Sequence, residues 1–171
     1  MRLLNKRRML RFMNWWPPFL GAGIRVRRIS PDFREIDVEM VHRFWNTNYV
    51  GVQFGGSLFA MTDAFYMLML LENLGPDYIV WDKAARIRFR RPAKGTVRAE
   101  FRITEEQIAE VRRMVETAPK AEPVFHVQIK DSRGEVVAEA ERTIHVKKKP
   151  RKAAQTDSVE SGELVKRSED V

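Results

Sequence analysis

The sequence contains no cysteine, so it forms no disulfide and offers no thiolate to a metal ion. It also lacks a long apolar run: the longest, residues 58–71, is interrupted by Thr62 and Asp63 and is shorter than the roughly 20 residues of a membrane-spanning helix. The basic N-terminus has no continuous apolar segment followed by a small-residue cleavage site. These absences favour a cytoplasmic chain without stable membrane insertion.

Acidic residues are missing from the beginning of the chain, where the first is Asp32. The formal net charge is +8, and a second basic cluster consists of Lys147, Lys148, Lys149, Arg151 and Lys152. Such a surface favours anionic partners, namely nucleic acid, acidic lipid headgroups or a phosphate-bearing molecule such as coenzyme A; the alternative is a solvated, solubilising surface. No helix-turn-helix pattern is present, so we expect no nucleic-acid partner.

The length of 171 residues and a hydrophobic content of 44% suit one globular domain. Residues 1–20 have an amphipathic, basic pattern that predicts a helix ended by Pro17-Pro18. We expect this helix to pack on the domain; touching a membrane is the alternative. The domain itself is predicted over residues 21–148, and the polar residues 149–171 predict a disordered charged tail.

Alternating apolar and polar residues predict strands at 24–30, 33–41, 78–91, 95–104, 123–131 and 135–148. Residues 42–54 show little periodicity and predict a structured loop, and 105–117 has the spacing of a short surface helix. Residues 57–73 are apolar on nearly every face, which predicts a helix that is buried all round. We therefore predict an α+β fold in which one antiparallel sheet wraps around one long central helix.

Asp63 is an acidic residue of this predicted helix whose only polar neighbour is Thr62. Removing a carboxylate from water without a partner costs several kcal/mol, so it must be paired or border a cleft. One interpretation is an ion pair with an arginine of the sheet. The other is a carboxylate that acts as a general base or nucleophile.

Gly55-Gly56 stands at the predicted helix start, with Ser57 as a possible cap. Free N–H groups there could polarise a carbonyl, although glycine before a helix often has only a conformational role. Gly56 and Asp63 are seven residues apart, about 10 Å along a helix. If both act on one carbonyl group, they come from two subunits related by a two-fold axis.

The segment Asn48-Tyr-Val-Gly51-Val-Gln-Phe-Gly55-Gly56 followed by Asp63 resembles the signature of hotdog-fold acyl-CoA thioesterases of the phenylacetyl-CoA type. That signature is an asparagine, a glycine three residues later, His-Gly-Gly, and an aspartate on the helix. A closer likeness is to a branch of the same superfamily that carries Phe-Gly-Gly-Ser-Leu instead, as this chain does. The Val-Trp-Asp-Lys-Ala-Ala segment at 80–85 is similar to that branch too.

The resemblance implies a hotdog fold and roles for the matching residues. Asp63 would attack the thioester or activate a water, the Gly56 amide would polarise the carbonyl, and Asn48 would orient the water. Phe54 occupies the histidine position and forms no side-chain hydrogen bond. The implied substrate-binding residues of this segment are Gly51, Phe54 and Gly55.

The strand at 85–91 places Ile87 and Phe89 on one face and the row Arg86, Arg88 and Arg90 on the other. Guanidinium groups match phosphate geometry, so this row could hold coenzyme A; a solvent-facing strand or salt bridges between subunits explain it equally. The three histidines are scattered, and no spacing suggests a metal site.

The leading hypothesis is an acyl-CoA thioesterase that works as a homodimer or a dimer of dimers. It needs no cofactor, since coenzyme A is part of the substrate. The alternative is a non-catalytic protein that binds acyl-CoA or another apolar ligand, and Phe54 in place of histidine favours it. The acyl chain and its carrier do not follow from the sequence.

Overall fold

The computed structural model describes residues 6–150. The helices are α1 (Lys6–Trp15), α2 (Pro17–Ala22), α3 (Gly55–Ala60), α4 (Phe65–Leu74) and α5 (Glu105–Thr117), with one 3-10 turn at Phe44–Asn46. The strands are β1 (Ile24–Ile29), β2 (Glu35–Met40), β3 (Tyr78–Phe89), β4 (Val97–Arg102), β5 (Val124–Lys130) and β6 (Val136–Lys148).

All six strands lie where the alternation predicted them, and they form one antiparallel sheet in the order β1-β2-β4-β5-β6-β3. Five of the six strands have one buried apolar face, and in β3 only Val80 is buried. In β2, for example, Ile36, Val38 and Met40 are buried while Asp37 and Glu39 face outward. This is the predicted hotdog fold, and the α+β prediction is confirmed.

The central helix is present but consists of two pieces, α3 and α4, separated by residues 61–64. Ala64 adopts a left-handed conformation (φ 68°), which a continuous right-handed helix does not allow. Phe65 and Met69 of α4 are fully buried against the sheet. The prediction that the whole segment is buried on every face was wrong. The broken helix turns Asp63 outward, Phe59 of α3 is exposed, and Met67, Leu68 and Leu71 of α4 are only partly buried.

The N-terminal helices cover the β1 edge of the sheet. Met9 and Met13 of α1 are buried, and the chain leaves α1 at Trp16 to begin α2 at Pro17, a position where proline is tolerated. The Asn14 amide binds both backbone groups of Val26: its Oδ1 accepts from the Val26 N–H (2.7 Å), and its Nδ2 donates to the Val26 carbonyl (3.1 Å). The Asn14 amide thus forms the two backbone hydrogen bonds that a neighbouring strand would otherwise form with Val26.

The predicted N-terminal region begins before the described part of the chain, since residues 1–5 lie outside it. Of the predicted tail, residues 151–171 also lie outside it. Lys149, at the start of that tail, donates its backbone N–H to the Asp77 carbonyl (2.8 Å). Among residues 6–150, no helix combines the length and apolar character needed to cross a bilayer.

Candidate functional site

Asp63 lies at the interruption of the central helix, with 56% of its side chain exposed. Its Oδ1 accepts the N–H of Ala64 (2.9 Å), which holds the carboxylate beside the left-handed residue. The sequence argument placed this carboxylate in an apolar interior. The structure corrects this, since it leaves one side open to water and directs the other towards β6.

Arg142 of β6 is the partner of Asp63. Its side chain is only 4% exposed, and its guanidinium contacts Asp63 and also donates to Asp82 Oδ1, from Nη2 at 2.9 Å and from Nε at 3.2 Å. The guanidinium carbon lies 5.5 Å from the centre of the Phe59 ring. The ion pair between Asp63 and an arginine of the sheet, one of the two interpretations of this residue, is therefore present. The arginine bridges two carboxylates.

Asp82 of β3 is the more enclosed of the two carboxylates, with 22% of its side chain exposed. Burial raises the pKa of Asp82, since it disfavours the charged form; the charge and hydrogen bond of Arg142 act in the opposite direction. The nearby Asp63 adds a smaller upward contribution to the same pKa. Asp82 thus holds the Arg142 guanidinium in place, and the same guanidinium holds the exposed Asp63.

The glycine pair forms the first turn of α3, and Phe54 precedes it in an extended conformation. The prediction of Ser57 as the cap was wrong, because Ser57 lies within α3 and is buried. Within residues 6–150, the N–H groups of Gly55 and Gly56 have no acceptor. Such N–H groups at a helix start are suited to polarise an oxygen.

Aromatic rings flank this first turn closely. A Cβ atom on Gly56 would lie 2.4 Å from the Phe54 ring, and one on Gly55 would lie 3.1 Å from the Phe89 ring. A side chain at position 56 would therefore require the Phe54 ring to move, and one at position 55 would make a tight contact with the Phe89 ring. Phe54 and Phe89 are 55% and 53% exposed, so they present an apolar surface beside the free N–H groups.

Asn48 and Gly51 shape the loop before α3. Asn48 Oδ1 accepts the N–H groups of Val50 and Val52, both at 3.1 Å, and the Gly51 N–H donates to the Asn48 carbonyl (3.0 Å). Gly51 has φ 79°, a conformation that favours glycine. The Asn48 side-chain oxygen is therefore bound to the backbone of its own loop. Among the described residues nothing accepts a hydrogen bond from its Nδ2 group, which could donate to a water.

The predicted arginine row lies on the outer face of the sheet. Arg86 and Arg88 pair in register with Glu141 and Glu139 of β6 and border an open cavity of about 340 Å³ there. Arg90 is bound to Glu139 (Nε at 2.9 Å). In one protomer, this row and the inward-facing Phe89 are therefore on opposite faces of the sheet.

Comparison with protein families gives a match over residues 5–146 to a domain of unknown function, DUF4442. The chain belongs to the DUF4442 family. No functionally curated protein matches its sequence at a significant level.

Solved structures resemble this DUF4442 chain throughout its domain. One is PA5026 of Pseudomonas aeruginosa, a protein of unknown function described as a probable thioesterase: 26% identity, 85% of this chain and 97% of that chain covered, TM-score 0.74. A thioesterase from Haemophilus influenzae, HI1161, is 14% identical; the match covers 86% of this chain and 93% of that chain, with a TM-score of 0.63. A protein of unknown function from Chlorobaculum tepidum is also 14% identical; the match covers 83% of this chain and 93% of that chain, with a TM-score of 0.67. The resemblance to the hotdog thioesterase superfamily is thereby confirmed.

The residues around Asp63 that sequence reasoning missed are Arg142, Asp82 and Phe59. A signal for Arg142 was present in this DUF4442 sequence. The inward positions of β6 run Ala138, Ala140, Arg142, Ile144, Val146, so the arginine interrupts an apolar face. An arginine at such a position needs an acidic partner, and Asp63 is an acid of the central segment that the same face covers.

Proposed function

We propose that the chain is a thioester hydrolase that acts on acyl-CoA or a related acyl thioester. In this proposal Asp63 acts as base or nucleophile, and the Gly56 N–H polarises the thioester carbonyl. As a base, Asp63 takes a proton from water, and the hydroxide adds to the carbonyl carbon. The carbon–sulfur bond then breaks, and the leaving thiolate takes the proton from Asp63, which restores the carboxylate. The products are the free acid and the free thiol.

The observation that carries the proposal is the exposed, anchored carboxylate of Asp63. A base or nucleophile must reach water and substrate, and the interruption at 61–64 provides this access. It must also be held in one orientation, which the buried Arg142 guanidinium and the Ala64 N–H provide. A carboxylate that served only to neutralise Arg142 would need no such exposure, because Asp82 already pairs with that arginine.

The apolar surface around Gly55 and Gly56 supports an apolar acyl group. Phe54 replaces the histidine of the related signature, so the acyl group meets a ring and no hydrogen-bonding side chain at that position. Phe59 and Phe89 are also partly exposed beside this turn. Medium-chain or aromatic acyl groups fit such a surface best.

The proposed reaction requires a homodimer, since Gly56 lies in the first turn of α3 and Asp63 lies beyond the C-terminal end of that helix. β3, with 12 residues, pairs only with β6 among the described strands and leaves an open sheet edge. Antiparallel pairing of this edge with a second copy is compatible with a two-fold axis. We propose that this dimer combines Asp63 of one protomer with Gly56 of the other. Binding of coenzyme A by the row Arg86, Arg88 and Arg90 stays a prediction.

The test is release of free thiol from a panel of medium-chain and aromatic acyl-CoA substrates by the full-length protein. Asp63→Asn is expected to lower kcat by about 10³-fold or more, since it removes the proposed base or nucleophile. Asp77→Asn, an exposed aspartate before β3, is the matched control and keeps full activity. A wild type that hydrolyses no substrate of the panel, or an Asp63→Asn variant with full activity, contradicts the proposal.

The second candidate is a non-catalytic protein that binds acyl-CoA, and Phe54 is the observation that favours it. Thermal stabilisation by acyl-CoA without thiol release would identify this function. Phe54→His separates the two further. If the phenylalanine only tunes an active site, the variant hydrolyses acyl-CoA at a changed rate; if the chain only binds ligand, neither protein releases thiol.

A further inference from the structure

We propose that the surface formed by α1, α2 and the 3-10 turn binds an anionic phospholipid bilayer without crossing it. We call this surface the basic aromatic face and define it by Trp15, Trp16, Leu20, Arg25, Arg43 and Trp45. This inference does not depend on the proposed hydrolase activity, because none of these six residues is among the proposed catalytic or substrate-binding residues.

The helices α1 and α2 separate their large side chains into two sets. Met9, Met13 and Phe19 are buried in the domain. In contrast, Trp15 is 74% exposed, Leu20 is 53% exposed, and Phe12 and Trp16 are also at the surface. The two interpretations of this amphipathic segment, packing on the domain and touching a membrane, are therefore compatible, because the buried methionines leave the aromatic residues outside.

A second segment extends this exposed apolar surface. A cleft of about 180 Å³ joins Asn14 and Leu20 of the N-terminal helices to Arg25 of β1 and to Arg43 and Trp45 of the 3-10 turn region. Trp45 is 53% exposed and the neighbouring Phe44 is 88% exposed. The Arg43 guanidinium carbon lies 5.8 Å from the centre of the Trp45 ring, so cation and aromatic ring are presented together.

The charge of these segments selects the partner. Residues 1–31 contain no acidic residue, and neither do residues 40–62. The acidic residue beside the face is Glu39 of β2, which pairs in register with Arg25 and forms a salt bridge with Arg27 (3.6 Å). Tryptophan prefers the boundary between headgroups and acyl chains, and arginine is attracted by anionic headgroups. Exposed tryptophans and exposed arginines on segments that contribute no acidic residue of their own are complementary to an anionic lipid surface.

The test is sedimentation of the full-length protein with vesicles of phosphatidylglycerol and phosphatidylcholine in equal parts. We expect binding to these vesicles, little binding to pure phosphatidylcholine, and release by high salt. Arg25→Ala and Arg43→Ala are each expected to weaken binding about fivefold. Trp15→Ala and Trp45→Ala weaken binding to the same vesicles by a similar factor or more.

Two matched controls lie elsewhere on the molecule. Arg133→Ala, in the β5–β6 turn, and Trp81→Ala, on β3, remove the same residue types and are expected to leave vesicle binding unchanged. The proposal is overturned if anionic vesicles do not bind the protein, or if these controls weaken binding as much as Arg43→Ala does. It is also overturned if the tryptophan variants lower the oligomeric mass, because the face would then be a contact between copies of the chain. A third contrary result is binding of random duplex DNA that these same substitutions weaken, in the absence of vesicle binding.

Discussion

At the β1 edge of the sheet, the amide of Asn14 binds both backbone groups of Val26, and α1 and α2 pack over the strand. At the β3 edge, no described segment pairs with the outer side of the strand. Beside this open edge lie the ion-paired Asp63, Arg142 and Asp82. The closed edge is thus completed within one chain, whereas the open edge is available for a second copy and adjoins the proposed active site.

The largest effect on stability is expected at the open-edge side, where Arg142 is buried between two carboxylates. Arg142→Met leaves the enclosed Asp82 without a counter-charge and is expected to lower the free energy of unfolding by about 3 kcal/mol at pH 7. Burial already raises the folded-state pKa of Asp82 above its unfolded value. Protonation of Asp82 therefore favours the folded variant, and the deficit should shrink as the pH falls through that raised pKa.

Urea unfolding at several pH values measures this effect. Arg90→Met, which removes an exposed arginine of the same edge, is the control and should lose less stability. Adding Asp82→Asn to Arg142→Met should restore part of the loss, because it removes the uncompensated charge. A deficit that does not change with pH and is not relieved by Asp82→Asn would contradict the ion-pair explanation.

A smaller loss is expected at the closed edge. Asn14→Leu keeps the size of the side chain but removes both hydrogen bonds to Val26, which should lower the free energy of unfolding by about 2 kcal/mol. Asn14→Asp retains the acceptor and should lose less. Because Asn14→Leu frees an edge strand, it should also raise the concentration-dependent aggregation that light scattering detects. Equal stability of the two variants would show that Asn14 contributes little through these bonds.

The smallest effect is expected on the outer face, where Asp37 of β2 joins Arg28 of β1 (2.5 Å) and Arg102 of β4 (2.6 Å). Burial raises the pKa of Asp37, but its hydrogen bonds and charge contacts with both arginines lower it by more, so the folded-state pKa lies below the unfolded value of 3.8. The stabilisation is therefore present above that value and is lost as the pH falls through the folded-state pKa.

Asp37→Asn should accordingly cost about 1 kcal/mol at pH 7 and nearly nothing at strongly acidic pH. Thermal unfolding of both proteins along a pH series measures the difference. Glu139→Gln, which removes the partner of Arg90 near the open edge, is the comparison and should have a smaller effect. A difference for Asp37→Asn that persists at strongly acidic pH would mean that the ion pairs are not its cause.

Much of the fold could be predicted from the sequence, since the period of two that defines each strand is local. The alternation in β2 and β6 identified both strands and their buried faces, and the spacing of Ile108, Val111 and Val115 predicted α5 within residues 105–117. The candidate site was predicted less completely. Asp63 and the glycine pair were found by their chemistry and spacing, while Arg142 went unnoticed although the alternation of β6 placed it on the inner face. Asp82 could not be placed in this way, because a register shift between Asp82 and Ala84 interrupts the alternation of β3.

The sequence by itself determined the six strands, the central helical segment and the residues that resemble a thioesterase signature, because each depends on neighbouring residues. Only the tertiary structure decided that the central helix breaks at Ala64, that Asp63 faces water, and that Arg142 joins it to Asp82. An apolar segment carries no local signal for such a break. The left-handed Ala64 lies between Phe65, which is buried in the core, and Asp63, which contacts Arg142 of a strand far away in the chain.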